Sequence, residues 1–328
     1  MSGFRVEPFR APGWLRGAHL QTIFGRLLRR ERPLPFERER LTTPDGDFVD
    51  LDFPRLGVAE GAPLVLLLHG LEGFARRGYA LNIYGELALR GVASVGLNFR
   101  SCSGELNRTA RFYHSGDTGD IRLVLEHLAE RFPGRRLGAV GFSLGGNALL
   151  KYLGEEGGAA RVAAAATVSV PFDLGAGADA LEGSRMGRFY TGMFIKTLVQ
   201  KAEAKRELIA AAGLDLERIR ASRSFRDFDG AATAPLHGFA DAEDYYRRSS
   251  SAGFLPLIRV PTLLIQASDD PFLPQHAFPW AAVRSNHWLQ AEITDGGGHV
   301  GFVGGTPWRP TFWAEREAAR FLAEELSR

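Results

Sequence analysis

The sequence predicts an α/β fold: a mostly parallel central sheet flanked by helices, with a helical cap inserted late in the chain. Three observations carry this. Short continuous apolar runs at residues 64–68 and 162–168 read as strands covered on both faces. Segments with helical spacing alternate with such runs through the first half of the chain. The alternation then breaks over residues 171–255 and resumes at Thr262.

Bulk properties bound the rest. A chain of 328 residues buries a large core, and α/β folds of this size often stay one domain. Net charge is +2, a slight imbalance that argues against a surface built for nucleic acid. The tightest basic clusters, Arg29-Arg30 with Arg32 and later Arg135-Arg136, read as solvated or snorkelling side chains. Cys102 is the one cysteine, which excludes an internal disulfide, and it reads as structural. The start of the sequence has no apolar signal core, and no apolar run reaches membrane-spanning length. The expectation is a soluble, cytoplasmic protein without a transmembrane segment.

Taken in order, residues 1–40 form a lead-in punctuated by Pro8, Pro12, Pro33 and Pro35. Residues 19–24 read as a short helix packing Leu20, Ile23 and Phe24 on the body, its polar residues serving packing and capping. Strands follow at 36–41 and 48–53, joined by the turn residues 43–47. Alternation of Phe48, Asp50 and Asp52 with Val49, Leu51 and Phe53 suits a half-exposed antiparallel edge. The interior strand 64–68 runs into His69-Gly70-Leu71-Glu72-Gly73, and His69 reads as a residue that fixes this loop. Helix 79–89 and strand 92–97 precede a polar loop, then a helix through Leu128 for which Asp117 is a candidate cap. Strand 137–140 leads to an elbow and a helix to Leu153. The insert carries helical pieces near 186–208 and 214–220. Its aromatic residues, among them Phe225, Phe228, Phe239, Tyr245 and Tyr246, either face substrate or pack the cap. Strands 262–267 and 288–293 and a helix over 312–326 complete the chain. It therefore divides into 1–170 (lead-in and first part of the core), 171–255 (cap) and 256–328 (C-terminal part of the core).

The elbow is Gly141-Phe142-Ser143-Leu144-Gly145, the pattern G-x-S-x-G between a strand and a helix. Glycines two positions either side of the serine remove side chains that a sharp turn has no room for. A serine hydroxyl needs a base, and the base needs an orienting group. The chain offers Ser143, Asp270 and His299 in that order, each just after an expected strand, so all three fall at one sheet edge. Nucleophile, acid, histidine is the chain order of the α/β-hydrolase fold. Asp269 competes with Asp270 for the acid, which is preferred because it immediately precedes the Pro271–Pro274 turn; Asp295 is a weaker alternative. The Leu71 and Leu144 N–H groups are the candidate oxyanion donors. No histidine–carboxylate set has metal-ligand spacing, and no dinucleotide or Walker loop is present, so no metal or cofactor is expected.

The chain resembles the YheT-like branch of the α/β-hydrolases, related to plant embryogenesis-associated proteins and animal abhydrolase-domain lipid hydrolases. The resemblance covers nearly the whole chain. It rests on the segments 16–22, 69–73, 98–105, 113–117, 141–147, 269–272 and 297–302, in which RGAHLQT, HGLEG, NFRSCSGE, YHSGD, GFSLGGN, DDPF and GGHVGF stand. It implies Ser143, Asp270 and His299 as the triad and an esterase-type activity. Ser101 stands where the family usually has glycine, which bears on the shape of that loop. The lipid specificity of the animal relatives is not implied, since their N-terminal membrane segment has no counterpart here.

The expected function is hydrolysis of small to medium apolar carboxylic esters, including lipid-like ones, through an acyl-serine intermediate. Thioester or amide hydrolysis and acyl transfer use the same three groups and stay open, as does a non-catalytic binding protein on this fold. Sequence leaves the oligomeric state open.

Overall fold

The computed structural model describes residues 3–30 and 33–328. Arg32, assigned above to a solvated cluster, lies outside the described residues. Eight strands form one sheet in the order β1-β2-β4-β3-β5-β6-β7-β8. They are β1 (Phe36–Thr42), β2 (Phe48–Pro54), β3 (Leu64–Leu68), β4 (Ala93–Asn98), β5 (Leu137–Phe142), β6 (Ala164–Val168), β7 (Thr262–Ala267) and β8 (Leu289–Thr294). From β4 to β8 all pairings are parallel, whereas β1 and β2 pair antiparallel, as do β2 and β4.

Helices cover both faces. On one side α3 (Gly119–Arg131) and α4 (Leu144–Glu156) bury Ile121, Leu125, Leu149 and Leu153 against Leu64, Leu66 and Leu68. On the other, α2 (Gly78–Ala88) and the C-terminal helix Trp313–Leu326 pack against Val65, Leu67 and Val140. The alanine-rich β6 lets that last helix come close, Ala164 and Ala166 meeting Ala314 and Ala318 in one cluster. This double cover is why β3 is wholly apolar.

Three expectations are corrected. Strand β2 is interior, with β1 as the edge, and Asp50 and Asp52 are buried. Their charge is matched by Arg40 on Asp50 (2.8 Å) and by Arg38 and Arg76 on Asp52 (2.8 and 2.7 Å). Arg29 is not solvated: it is buried, 2.6 Å from the buried Glu315 and donating to Gly301 O. The lead-in helix α1 (Ala18–Leu28) turns Gln21 and Gly25 inward while Leu20 and Phe24 are exposed. Gln21 explains the inversion. Its amide donates to Leu15 O and Val303 O and accepts from Val303 N–H. At Gly25 a Cβ would stand 2.8 Å from Gly301 Cα, so only glycine allows this approach. Sequence patterning also missed the small hairpin β9 (Val303–Thr306) and β10 (Arg309–Phe312).

Between β6 and β7 the chain builds the cap. Helices α5 (Leu174–Glu182) and α6 (Arg185–Ala204) are followed by short helices and the Ala242–Ser249 helix. The expected 186–208 helix breaks at Lys205, beyond which Arg206–Ala211 is separate. The cap has its own apolar cluster, in which Ile195, Leu198, Ile209, Ile219 and Phe228 meet Phe112 of the body. Phe228, Tyr245 and Tyr246 are buried in cap clusters, which assigns them to packing rather than to substrate. Lys205 is buried where α6 ends. Its ammonium donates to Asn107 Oδ1 (2.8 Å) and Arg111 O (2.9 Å) and lies over the Phe112 ring.

The turn from β5 into α4 has no room for side chains at its glycines. A Cβ on Gly141 would stand 2.6 Å from Gly146 Cα, and one on Gly145 would stand 2.5 Å from His69 O. Both neighbours are backbone and cannot swing aside. Gly145→Ala is therefore expected to destabilise the protein by ~1–3 kcal/mol, read as a lowered melting temperature. A second expectation concerns Lys205. Burial pushes its pKa down from 10.5 to about 8, so the folded state releases the proton before the unfolded chain does. Stability contributed by this group rises as pH increases through the window from about 8 to 10.5. In urea denaturation across that window, the stability of wild type relative to Lys205→Met is expected to rise with pH.

Candidate active site

The site is built on the carboxyl ends of β3, β5 and β7 and the loop after β8. Ser143 occupies the β5–α4 turn at φ 51°, ψ −121°, a conformation that L residues rarely adopt. Its backbone is pinned on both sides: its N–H donates to Val168 O, and its carbonyl accepts from Gly146 and Asn147 N–H. Glycine 70 lies against it, since a Cβ there would be 3.3 Å from Ser143 Cβ.

The structure brings the three sequence-selected side chains together. Ser143 Oγ is 2.9 Å from His299 Nε2, and His299 Nδ1 is 2.9 and 3.2 Å from the two Asp270 oxygens. A carboxylate at Nδ1 selects the tautomer protonated there, which leaves Nε2 free to accept the serine proton. Asp270 is buried, and the Phe272 N–H holds its Oδ1 at 2.9 Å. Phe272 also stacks on the imidazole, ring centres 4.2 Å apart and planes 18° from parallel. The neighbouring Asp269 instead accepts the Gly298 N–H and so ties the histidine loop to the acid loop. Asp295 is exposed.

His69 behaves as a loop residue. It is fully buried, its Nδ1 donating to Gly70 O and its Nε2 accepting from Phe99 N–H. Burial pushes its pKa down to about 3, so it is neutral. Cys102 is likewise buried, and burial pushes its thiol up to about 11, which removes it as a thiolate nucleophile at neutral pH.

After His69 the chain makes a turn in which Gly73 N–H donates to Gly70 O. Glu72 takes φ 53° there. Its N–H is held by Tyr113 OH, and its carboxylate by Lys201 of the cap helix α6 at 2.7 Å. Leu71 sits inside this turn, and Leu144 is the first residue of α4; neither N–H has a partner among the described residues. Five of the six described non-glycine residues with positive φ lie in or against these loops: Glu72, Ser143, Ser169, Val300 and Phe302. The hydrogen bond from Val300 N–H to Ser169 Oγ joins two of them. The sixth is Ser101, at φ 63°. Its hydroxyl accepts the Asn107 N–H, so its own side chain holds this left-handed backbone.

Two sets of residues around the site were not assigned to it from sequence. Thr22 of α1 accepts the His299 N–H at 2.9 Å and donates to Ala18 O, so the lead-in holds the histidine backbone. Its place in the RGAHLQT segment was the available signal, which a packing role explained equally well. Tyr190 and Phe194 of α6 reach Phe272, ring centres 4.9 and 6.4 Å away, and no spacing in the sequence links them to the acid loop.

Known proteins are similar to this chain over most of its length. Residues 63–306 match the family described as alpha/beta hydrolase fold. The Escherichia coli K12 protein named "Putative esterase YheT" is 40% identical, with 94% of this chain and 91% of that one aligned. Mouse "Phospholipase ABHD3" is 29% identical, covering 97% and 78%. The solved Pyrococcus furiosus esterase Pf2001 shares the fold, with a TM-score of 0.57 at 16% identity over 90% of this chain and 93% of that one. With the parallel sheet, the G-x-S-x-G turn and these alignments in hand, the chain belongs to the α/β-hydrolase fold family, in its YheT-like branch.

Proposed function

We propose that this protein is a serine carboxylesterase in which Ser143 is the nucleophile, His299 the general base and acid, and Asp270 the group that orients the histidine. The observation that carries the reading is the unbroken chain of contacts from Ser143 Oγ through His299 to the buried Asp270. Relatives named as an esterase and a phospholipase agree with ester cleavage.

In this mechanism His299 Nε2 takes the hydroxyl proton as Ser143 Oγ attacks the ester carbonyl carbon. The carbonyl oxygen becomes an oxyanion, and the Leu71 and Leu144 N–H groups donate to it. These donors fit the role because neither has a partner among the described residues, and Leu144 begins a helix, where the backbone dipole favours negative charge. Collapse breaks the bond to the alcohol, which leaves with the proton from His299. Water then attacks the acyl-Ser143 carbonyl by the same route in reverse and releases the acid. Asp270 stabilises the imidazolium formed twice in the cycle. Residues 171–255 act as a cap over the site, and the aromatic side chains Tyr190, Phe194 and Phe272 make its approach apolar, which favours small to medium apolar esters.

Short-chain nitrophenyl esters test the assignment. Ser143→Ala is expected to lower turnover by about three orders of magnitude or more, and to abolish labelling by a fluorophosphonate. Unchanged turnover in that variant rejects the mechanism. Thr22→Val removes the acceptor of the His299 N–H. It is expected to lower kcat roughly tenfold with KM nearly unchanged, the size of an unmet buried donor, and Thr22→Ser is expected to restore it.

A further inference from the structure

The helices that contact the site also carry the most exposed of the large apolar side chains in the cap and lead-in. On α1, Leu20, Phe24 and Leu27 follow i, i+4, i+7 spacing and lie on one exposed ridge, Leu27 being 66% exposed. On α6, Phe189 (58% exposed) and Met193 repeat the pattern at i, i+4. The two helices meet at His19 and Tyr190, whose polar atoms are 3.3 Å apart. Trp308 stands at the turn of the β9–β10 hairpin and is 84% exposed. That hairpin is fixed to the same lead-in, since Trp14 donates to Gly305 O and Gln21 to Val303 O. Exposed apolar residues scattered singly need no explanation, but a ridge on each of two joined helices and a neighbouring tryptophan do.

Charge on these segments is one-sided. From Pro8 to Arg30 the sequence contains arginines and no Asp or Glu, and from Gly183 to Ala202 it contains arginines and lysines and again no acid. Arg29 and Lys201 are committed to Glu315 and Glu72. Arg16, Arg26, Arg30, Arg185, Arg188 and Lys196 remain exposed beside the apolar ridges. In a chain of net charge +2 this is a local concentration of cations rather than a global excess. Apolar side chains flanked by cations, with a tryptophan at the margin, are the composition that settles at the headgroup level of an anionic bilayer. A protein partner of stated sequence is not required by this pattern, whereas negative charge opposite the cations is.

We propose that α1, α6 and the β9–β10 turn form a docking surface for an anionic phospholipid bilayer. The surface borders the site directly: Thr22 of α1 holds His299, and Tyr190 of α6 packs on Phe272, which stacks on that histidine. Docking presents the site to molecules dissolved in the lipid, and it does not depend on the ester chemistry proposed above.

Co-sedimentation with vesicles tests it, using full-length wild type and Ser143→Ala, so that binding is read apart from turnover. Both are expected to sediment with phosphatidylglycerol–phosphatidylcholine vesicles, weakly with phosphatidylcholine alone, and less as salt is raised from about 0.05 to about 0.5 M. The triple variant Leu27→Ser, Phe189→Ser, Trp308→Ser and the triple variant Arg26→Gln, Arg30→Gln, Lys196→Gln are each expected to lower partitioning roughly tenfold or more. All six side chains are exposed, so both variants are expected to keep the wild-type melting temperature. Two results overturn the proposal. One is wild type staying in the supernatant with anionic vesicles at low salt. The other is a dimer in sedimentation velocity that the apolar triple variant dissolves, which assigns the surface to a second copy of the chain.

Discussion

The close approach of α4 to the end of β3 sets the rest of this structure. Two glycines, at 141 and 145, leave no side-chain atoms between backbones that would otherwise collide. The strand can then reverse into a helix within one residue, and Ser143 is forced to φ 51° at the apex. Such a conformation costs on the order of 1–3 kcal/mol and persists only where its surroundings fix it. Here they do. Asn147, one turn into α4, donates to Ser115 O and Ser249 O and accepts the Ser251 N–H, so the elbow helix is bonded to the segment that closes the cap. A strained residue at the apex is thereby linked to two remote stretches of chain, each satisfying a polar group that would be costly to leave unpaired in the core.

The histidine side of the site follows the same logic with different parts. Its loop contains Gly297 and Gly298 at positive φ, with Val300 and Phe302 also in that region. None of this is stable locally. Thr22, Asp269 and Ser169 each accept a backbone N–H from the loop, and Arg29 donates to Gly301 O. The lead-in therefore completes the site rather than leading up to it. This explains why α1 turns its polar residues inward: the surface it meets is irregular backbone, which needs hydrogen bonds more than apolar cover. The apolar residues left outside are the same ones that make the lead-in suited to a lipid surface.

The cap helix α6 reaches the body through Lys201 and Tyr190. Lys201 holds Glu72 in the turn that contains Leu71, and Tyr190 packs against Phe272 in the acid loop. One helix thus touches both loops that flank Ser143. A shift of α6 changes the two together, which couples the shape of the approach to the geometry around the serine.

Much of this was legible in the amino-acid sequence. All eight strands of the main sheet, the sharp turn at Ser143 and the order of serine, acid and histidine follow from apolar runs, glycine spacing and position after strands, because these are local properties that backbone sterics and burial enforce. Asp270 is preferred over Asp269 from the turn that follows it, and the structure separates the two by side-chain direction: Asp270 faces the ring and Asp269 the Gly298 N–H. What tertiary structure alone decided are the places where one polar group is answered by another far along the chain. Asp50 and Asp52 read as edge residues until Arg38, Arg40 and Arg76 covered them. Arg29 read as solvated until Glu315, 286 positions away, met it in the interior. The sequence by itself determined the strands, the elbow and the candidate triad, since these depend on neighbours in the chain. The inward face of α1, the hold of Thr22 on His299 and the burial of these charges depend on partners that only folding brings within hydrogen-bond distance.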